Sequence, residues 1–444
     1  MQKPRQQTLL AVLLAGAFLA PAAHAADLLQ VYQQALANDA TIASARASAQ
    51  AGRESITQGR AGLLPTVAVT GNVTRVNNDN SPWNEPVEPG QNFSGNSRGY
   101  TVALQQPLFR WDRWQTYQQS KLQQAISEAQ FAQAQQDLIT RVAQAYFDVL
   151  AAQDTLESTR AQKTATTEQL ASAKRNFEVG TQTITDTHEA QAAYDLVVSQ
   201  EIAAVNDLEN KKTALQAIIG TLPGSLATLR TGVTLAPPQP ANVDQWVSAA
   251  ESQNYSVTAA QLSLETAQRQ ISKNRAGHYP TLDLVASSAH SNVAGQSLQS
   301  GKTTNNSIGI QYTIPIFSGY AVTSSVRQAI ALEDKARNDL ETYRRNAALQ
   351  ARQSYLGVAS GLAQVKALEA AEVSSNSSLE SNKLGYQVGV RINIDVLNAQ
   401  RQLYQTRTNL ARARYDTILS GLRLKAAAGS LREEDLQPIN ALLQ

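Results

Sequence analysis

The sequence of 444 residues contains no cysteine, which excludes disulfide bonds, thiolate metal sites and cysteine nucleophiles. Its four histidines never occur at a metal-binding spacing such as HExxH, and no glycine loop of the phosphate-binding type is present. The pattern therefore predicts a protein that is not an enzyme and that uses no cofactor and no metal.

Neither sign of charge is in excess. The chain has 38 Lys and Arg against 36 Asp and Glu, and two of the basic residues, Lys3 and Arg5, lie in a segment that we expect to be removed. A nearly neutral mature chain argues against nucleic acid as a partner.

Long apolar runs are confined to the start of the chain. Lys3 and Arg5 precede the apolar residues 9–19, and Ala23-His24-Ala25 forms a small-x-small cleavage site. These features predict a signal peptide at 1–25; a single membrane anchor is the alternative, although the run is short and Pro21 follows it. No later stretch of 18 apolar residues occurs.

The rest of the chain repeats itself. Arg60-Ala61-Gly62 with Pro65-Thr66 returns as Arg275-Ala276-Gly277 with Pro280-Thr281, and Val179-Gly180 followed by Asp186 returns as Val388-Gly389 followed by Asp395. A period of roughly 200 residues is far longer than that of a solenoid. We predict a first repeat at 26–221, a Pro-rich linker at 222–242, a second repeat at 243–430 and a tail at 431–444.

Each repeat contains two segments that alternate apolar and small polar residues. We predict strands at about 65–76, 99–109, 280–291 and 307–317. Such alternation is typical of membrane barrel strands, with lipid on one face and water on the other; a soluble two-sided sheet is the alternative. Aromatic residues where strands give way to helices favour a lipid–water interface, namely Phe109, Trp111, Trp114, Phe317 and Tyr320.

Very long helices follow the strands. Residues 113–176 contain neither proline nor glycine, and a helix of this length extends about 90 Å. Such a rod requires a coiled coil or a wall of packed helices. Four strands cannot close a barrel alone, so we expect a mixed α and β membrane protein whose barrel is shared by two, three or four chains.

Several motifs resemble those of the TolC family of outer-membrane efflux proteins. They are Gln106-Pro107-Leu108-Phe109, Ile314-Pro315-Ile316-Phe317, Ala145-Tyr146-Phe147-Asp148-Val149-Leu150, Gly385-Tyr386-Gln387-Val388-Gly389, Ile394-Asp395-Val396-Leu397 and Ala413-Arg414-Tyr415. The resemblance covers nearly all of the mature chain. It implies a homotrimer with a 12-stranded barrel in the outer membrane and a 12-helix periplasmic tunnel. It also implies a periplasmic adaptor and an inner-membrane transporter of the ABC, RND or MFS type as partners.

The resemblance also assigns roles to the two Val-Gly turns, Val179-Gly180 and Val388-Gly389. They become the tips of helix hairpins at the periplasmic entrance. The positions of the family's gating network, in which polar bonds hold neighbouring hairpins together, are Tyr386, Arg391, Thr185, Asp186 and Arg175; Arg175 departs from the family's uncharged choice. Asp395 falls on the acidic constriction, and Asn398 stands where a second acid is common.

The strands and long helices predict a passive, water-filled tube, and the resemblance implies that it is an outer-membrane exit duct for drug efflux, type I protein secretion or both, gated at its periplasmic end. A periplasmic or surface coiled-coil protein without a pore is the alternative, and it accounts for the long helices but not for the strand hairpins. The sequence does not specify the cargo.

Overall fold

Within residues 25–78, 93–230, 232–295 and 301–444, which the computed structural model describes, the chain forms nine α-helices and four β-strands. In chain order they are α1 (Leu28–Asn38), α2 (Ala40–Ala61), β1 (Thr66–Asn78), β2 (Phe93–Phe109), α3 (Trp111–Glu178), α4 (Ile184–Ile219), α5 (Val243–Gln253), α6 (Tyr255–Arg275), β3 (Thr281–Gly295), β4 (Gly301–Thr313), α7 (Ala321–Gln387), α8 (Asn393–Ala427) and α9 (Leu436–Asn440). The predicted signal peptide lies outside the described residues except for Ala25. None of the described helices is long and apolar enough to cross a lipid bilayer.

The strands are longer at their loop ends than the alternation indicates. β2 begins at Phe93 rather than 99, and β4 begins at Gly301 rather than 307. These first residues pair through their backbones, but most of their side chains are small and polar, so they give no apolar signal. β4 also ends at Thr313 rather than 317, because Pro315 has no N–H to continue the ladder.

The helical segment that precedes each pair of strands is two helices rather than one. Asp39 separates α1 from α2, and its Oδ1 accepts a hydrogen bond from the backbone N–H of Ile42 at 2.8 Å. Asn254 separates α5 from α6 and accepts one from the N–H of Ser256 at 2.9 Å. Both are residue types that favour the first position of a helix, which is the local signal for these breaks.

The described chain divides into two compact units. The sheet unit consists of Ser44–Gln133 and Glu251–Ala347, and it contains all four strands. The helical unit consists of the described residues up to Ala43 together with Ala134–Ala250 and Ala348–Gln444.

The four strands form one antiparallel sheet in the order β1-β2-β3-β4. The register places one set of alternate side chains on a common face, and most of that face is apolar, with Val67, Val69, Val73, Val102, Leu104, Leu282, Leu284, Ala286, Ile308, Ile310 and Tyr312. The opposite face carries mainly Thr, Ser, Gln, Asn and Ala. β1 and β4 are the two edges, and their valines and isoleucines are largely exposed in the single chain.

One ion pair stands where the sheet meets the helices. Asp283 of β3 is only 3% exposed, and the guanidinium of Arg110, just after β2, binds it at 2.5 Å. Gln105 donates a further hydrogen bond to the same carboxylate. A buried carboxylate requires such a partner, so this pair fixes the end of β2 against β3.

The helical unit is built around two aromatic residues of α3. Tyr146 and Phe147 are fully buried, and Phe147 stacks on Tyr415 of α8 with ring centroids 5.4 Å apart. The Tyr146 hydroxyl donates to the carbonyl of Ala227 at 2.7 Å. The segment predicted as a linker is therefore held to the core at its start, and Thr228 also exchanges two backbone hydrogen bonds with Gln444.

The charge of Asp39 should stabilise the helical unit. Burial raises its pKa, but hydrogen bonds from Arg141 and from the N–H groups of Ile42 and Thr41 outweigh this and leave the pKa below its usual value. This contribution is fully present above about pH 4, the unfolded pKa, and is lost as the pH falls through the folded pKa. We expect Asp39→Asn, which keeps a capping oxygen, to lower the free energy of unfolding at pH 7 by about 1–2 kcal/mol. This loss should be measurable as a lower thermal unfolding midpoint.

The difference between Asp39→Asn and the parent should shrink as the pH falls below about 4, measured by the loss of helical circular dichroism. Asp27→Asn is the matched control. Asp27 caps α1 through the N–H of Gln30 at 2.7 Å, and it has no ion pair within the part of the chain described. An equal, pH-independent loss in both variants would show that the Asp39–Arg141 pair contributes nothing beyond the general effect of replacing Asp by Asn at a helix start.

Candidate functional site at the two helix-hairpin turns

The first turn joins α3 to α4. Gly180 has φ = 75°, a conformation that glycine adopts without strain, and the N–H of Thr181 reaches back to the carbonyl of Asn176 at 2.9 Å. Thr183 then caps α4 and shares a reciprocal box with Asp186, whose carboxylate accepts from the Thr183 N–H at 3.1 Å and from its hydroxyl at 2.9 Å. Val179 at the tip is 72% exposed.

The second turn joins α7 to α8 in the same way. Gly389 has φ = 81°, and the N–H of Val390 bonds to the carbonyl of Gly385 at 2.9 Å. Asp395 occupies the position that corresponds to Asp186, and its carboxylate accepts from the backbone N–H of Ile392 at 3.4 Å. The residue at the Thr183 position is Ile392, which has no side-chain oxygen, so only half of the capping box forms here.

Two polar contacts join the hairpins within one chain. The Gln182 side-chain amide of the first turn donates to the Tyr386 hydroxyl at the end of α7. Asn393, which is fully buried at the start of α8, accepts from the Gln169 amide at 2.6 Å and donates to the Asp186 carbonyl at 3.1 Å. Asn393 thus contacts both helices of the first hairpin, and a buried polar side chain with both ends bonded fixes the geometry of its neighbours.

An apolar cluster supports these polar contacts. Leu170, Ala173, Ala190 and Leu397 are buried together, and Ala193, Tyr194 and Ile394 pack against them. Small alanines at this contact let α3, α4 and α8 approach closely. The turns are therefore held by a packed base and exposed only at their tips.

The predicted site residues fall into three groups. Arg391 and Asp395 contact each other, with Nη1 to Oδ2 at 3.7 Å, and their side chains are 57% and 33% exposed. Tyr386 and Asp186 take part in the contacts between and within the hairpins already described. The remaining three do not join this network: Thr185 and Arg175 are exposed, and Asn398 accepts from Arg401 at 2.5 Å.

Within one chain, Arg391 therefore binds Asp395 of its own hairpin. At this exposure such a pair contributes about 0.2–1 kcal/mol, so a competing partner can replace it. Contacts from Arg391 to Thr185 or Asp186 of another chain stay a prediction.

Two residues of the site have no counterpart in the sequence-based prediction, namely Gln182 and Asn393. Both form their hydrogen bonds with residues about 200 positions away, so no local pattern indicates them. The usable signal is a polar residue at the first position of α8, in a stretch where its neighbours Val396 and Leu397 are buried.

One further motif has no catalytic geometry. Gly95-Asn96-Ser97-Arg98-Gly99 matches Gly-x-Ser-x-Gly, but it lies inside strand β2. A serine nucleophile of that motif requires a sharp turn from strand to helix, which β2 does not provide. Among the described residues, no group of three or more His, Asp and Glu is placed to hold a metal ion.

Known proteins resemble this chain in sequence and in fold. The model of the family described as outer membrane efflux protein matches the chain twice, at residues 31–221 and 246–430. The outer membrane protein TolC of Vibrio cholerae serotype O1 is 35% identical over 430 residues, covering 96% of each chain. The alkaline protease secretion protein AprF of Pseudomonas aeruginosa is 32% identical over 421 residues, covering 94% of this chain and 88% of AprF. The solved CmeC outer membrane channel of Campylobacter jejuni has a TM-score of 0.78 at 18% identity, covering 94% of this chain and 90% of CmeC.

Proposed function

Because this chain belongs to the outer membrane efflux protein family, we propose that it is the outer-membrane exit duct of an efflux or type I secretion system. Three copies place their sheets in the outer membrane and their long helices in the periplasm. Cargo passes through a continuous water-filled tunnel, and the helix-hairpin turns close its periplasmic end.

The observation that carries the proposal is the open, two-faced sheet. Its edges β1 and β4 expose apolar side chains and backbone groups that a bilayer cannot satisfy. Pairing β4 of one chain with β1 of the next removes both edges, and three chains then give 12 strands with the apolar face outward and the Thr- and Ser-rich face around water. The helices of three chains also surround a bore, whereas the helices of two chains would leave only a narrow one.

The chain is proposed to be two copies of one unit. Each copy has the order helix, helix, strand, strand, long helix, helix, as in α1 to α4 with β1 and β2, and in α5 to α8 with β3 and β4. The two separate matches to one family model support this. The segments predicted as linker and tail, 222–242 and 431–444, lie outside both matches.

The partners follow from the absence of an energy source in such a duct. A passive tunnel needs an inner-membrane transporter, of the ABC, RND or MFS type, and a periplasmic adaptor that docks on the hairpins. Both small molecules and secreted proteins fit the proposal, since one relative is named for protease secretion and the family for efflux.

The mass of the detergent-extracted particle tests the proposal. We expect three times the mass of the mature chain, and discrete ion-conducting steps when that particle is added to planar bilayers. Heat should also change its electrophoretic migration in an outer-membrane fraction. A monomeric or dimeric particle without conductance would contradict the duct and favour a coiled-coil protein without a pore.

A further inference from the structure

The charged residues of the sheet are few and unevenly placed. The described strands contain one acid, Asp283, which Arg110 neutralises, and three basic residues, Arg75, Arg98 and Lys302. All three basic side chains are exposed, and none has an ion pair within the described ranges. They are far from Asp283, near the strand ends that lead into the loops.

The strand register puts these three cations on one face. Val73, Arg98, Asn292 and Lys302 form one row across the four strands. Arg98 and Lys302 are two strands apart in that row, about 10 Å, and Arg75 is diagonal to Arg98 at about 7–8 Å. This face is the one that carries the valines, leucines and isoleucines of the sheet. We call Arg75, Arg98 and Lys302 the distal cation cluster.

The next row toward the helices has the character of a membrane interface. Tyr100 and His290 stack there with ring centroids 5.4 Å apart, and His290 Nδ1 bonds to the Thr304 hydroxyl at 2.7 Å. Rings with one dry and one wet side are enriched at the edges of the hydrocarbon region. Apolar side chains fill most of this face below that row.

The spacing along the strands matches the thickness of a membrane. The row of Leu282 and Tyr312 stands at the helix end of the sheet, and the row of Asn292 and Lys302 is ten residues further along β3. Ten residues extend about 33 Å, which becomes about 25 Å along the membrane normal at the usual barrel tilt. The cluster therefore lies at the far boundary of the apolar band.

We infer that the distal cation cluster binds the phosphate groups of an anionic lipid in the leaflet farther from the helices. The ligand must present phosphate to Arg75, Arg98 and Lys302 and acyl chains to the apolar rows beneath them, and a phosphorylated lipid does both. Two guanidinium groups and one ammonium group bind phosphate oxygens by charge-assisted hydrogen bonds. This inference rests on the proposed insertion of the sheet in the outer membrane.

Native mass spectrometry of the full-length trimer, with bis-phosphorylated lipid A added as the probe, tests the inference. The test variant is Arg75→Gln/Arg98→Gln/Lys302→Gln. Each cation near an anionic lipid surface contributes about fivefold, so we expect the variant to bind lipid A at least about tenfold more weakly than the parent. The matched control, Arg327→Gln/Arg344→Gln/Arg352→Gln, removes the same charge from exposed positions of α7 and should bind like the parent.

Two further probes identify the ligand group. A neutral lipid with the same acyl chains should bind the parent no more tightly than it binds the triple variant. Inorganic phosphate should compete with lipid A only weakly, because it lacks the acyl chains. Equal competition by inorganic phosphate would overturn the lipid assignment in favour of a simple anion site.

Equal lipid A binding by the parent and the triple variant would overturn the inference. That result, combined with a lower unfolding temperature of the variant, would assign the three cations a role in the stability of the folded protein instead. A parent that conducts but retains no lipid A would overturn this inference alone. A parent that neither forms a trimer nor conducts would overturn the proposed function as well.

Discussion

In planar bilayers, the double variant Arg391→Ser/Tyr386→Phe should conduct several-fold more current than the parent protein. Tyr386→Phe removes the hydroxyl that accepts a hydrogen bond from Gln182 and so uncouples the two hairpin turns of one chain. Arg391→Ser removes the cation that lies 3.7 Å from Asp395, together with the predicted bonds to Thr185 and Asp186 of a neighbouring chain. Both changes favour hairpins that separate.

The effect should be large because the proposed trimer repeats it. The Tyr386 hydrogen bond contributes about 0.5–1.5 kcal/mol and the exposed charge contact of Arg391 about 0.2–1 kcal/mol, so their loss in each of three chains shifts the closed–open equilibrium by at least about 2 kcal/mol, or about thirtyfold. Groups within one polar network are coupled, so the effect of the double variant should exceed that of either single variant. The packed base of Leu170, Ala173, Ala190 and Leu397 is untouched, and the fold should persist.

The control makes the same two kinds of chemical change at exposed positions of α7 away from the turn. Tyr343→Phe/Arg352→Ser removes one exposed hydroxyl and one exposed guanidinium, and the current should equal that of the parent. If the tip variant also conducted like the parent, Tyr386 and Arg391 would be solvated turn residues without a part in closure.

The second large effect should be the loss of cation block in Asp395→Ala. Three Asp395 carboxylates facing the axis of the proposed trimer would form a site for a multivalent cation, which added from the periplasmic side should block the current at low concentration. Asp395→Asn separates charge from capping, because its oxygen can still accept from the Ile392 N–H. Both variants should lose the block and keep the trimer.

Two substitutions close to Asp395 should strengthen the cation block, whereas removal of Asp395 should abolish it. Arg391 partly neutralises Asp395 in the chain, so Arg391→Ser alone should tighten the block. Asn398→Asp would add a second ring of acids and should also deepen it, although Arg401, which binds Asn398 at 2.5 Å, would offset part of the new charge. Block of equal strength in the parent and in Asp395→Asn would place the constriction elsewhere.

The sequence was most informative where structure is local. Four strands per chain follow from alternating residues such as Ile308, Ile310 and Tyr312, and the long helices follow from stretches without glycine or proline. The predictions that were wrong, namely the strand starts and the undivided helices, also concern local structure. Small polar residues at 93–98 and 301–306 extend the strands without an apolar pattern, and single capping residues, Asp39 and Asn254, divide helices that the apolar periodicity joins.

For the site, the repeated Val-Gly turns and the acids that follow them, Asp186 and Asp395, could be located from the sequence alone. The different surroundings of these two acids could not be predicted from the sequence. Asp186 is held in a complete capping box by Thr183, whereas Asp395 faces Ile392, which cannot complete the box, and has Arg391 as its partner. The two turns thus present one carboxylate engaged in its own capping box and one that is paired with a cation.

The order of the elements, the polarity of each face of the strands and the position of the turns could all be predicted from the sequence, because each of these depends on residues close together in the chain. Three features became visible only in the folded chain: Gln182 contacts Tyr386, Asn393 is buried between Gln169 and Asp186, and Arg98 and Lys302 share one row of the sheet. These contacts join residues up to about 200 positions apart. Their geometry is set by the packing of whole helices and the register of whole strands, which no local pattern encodes.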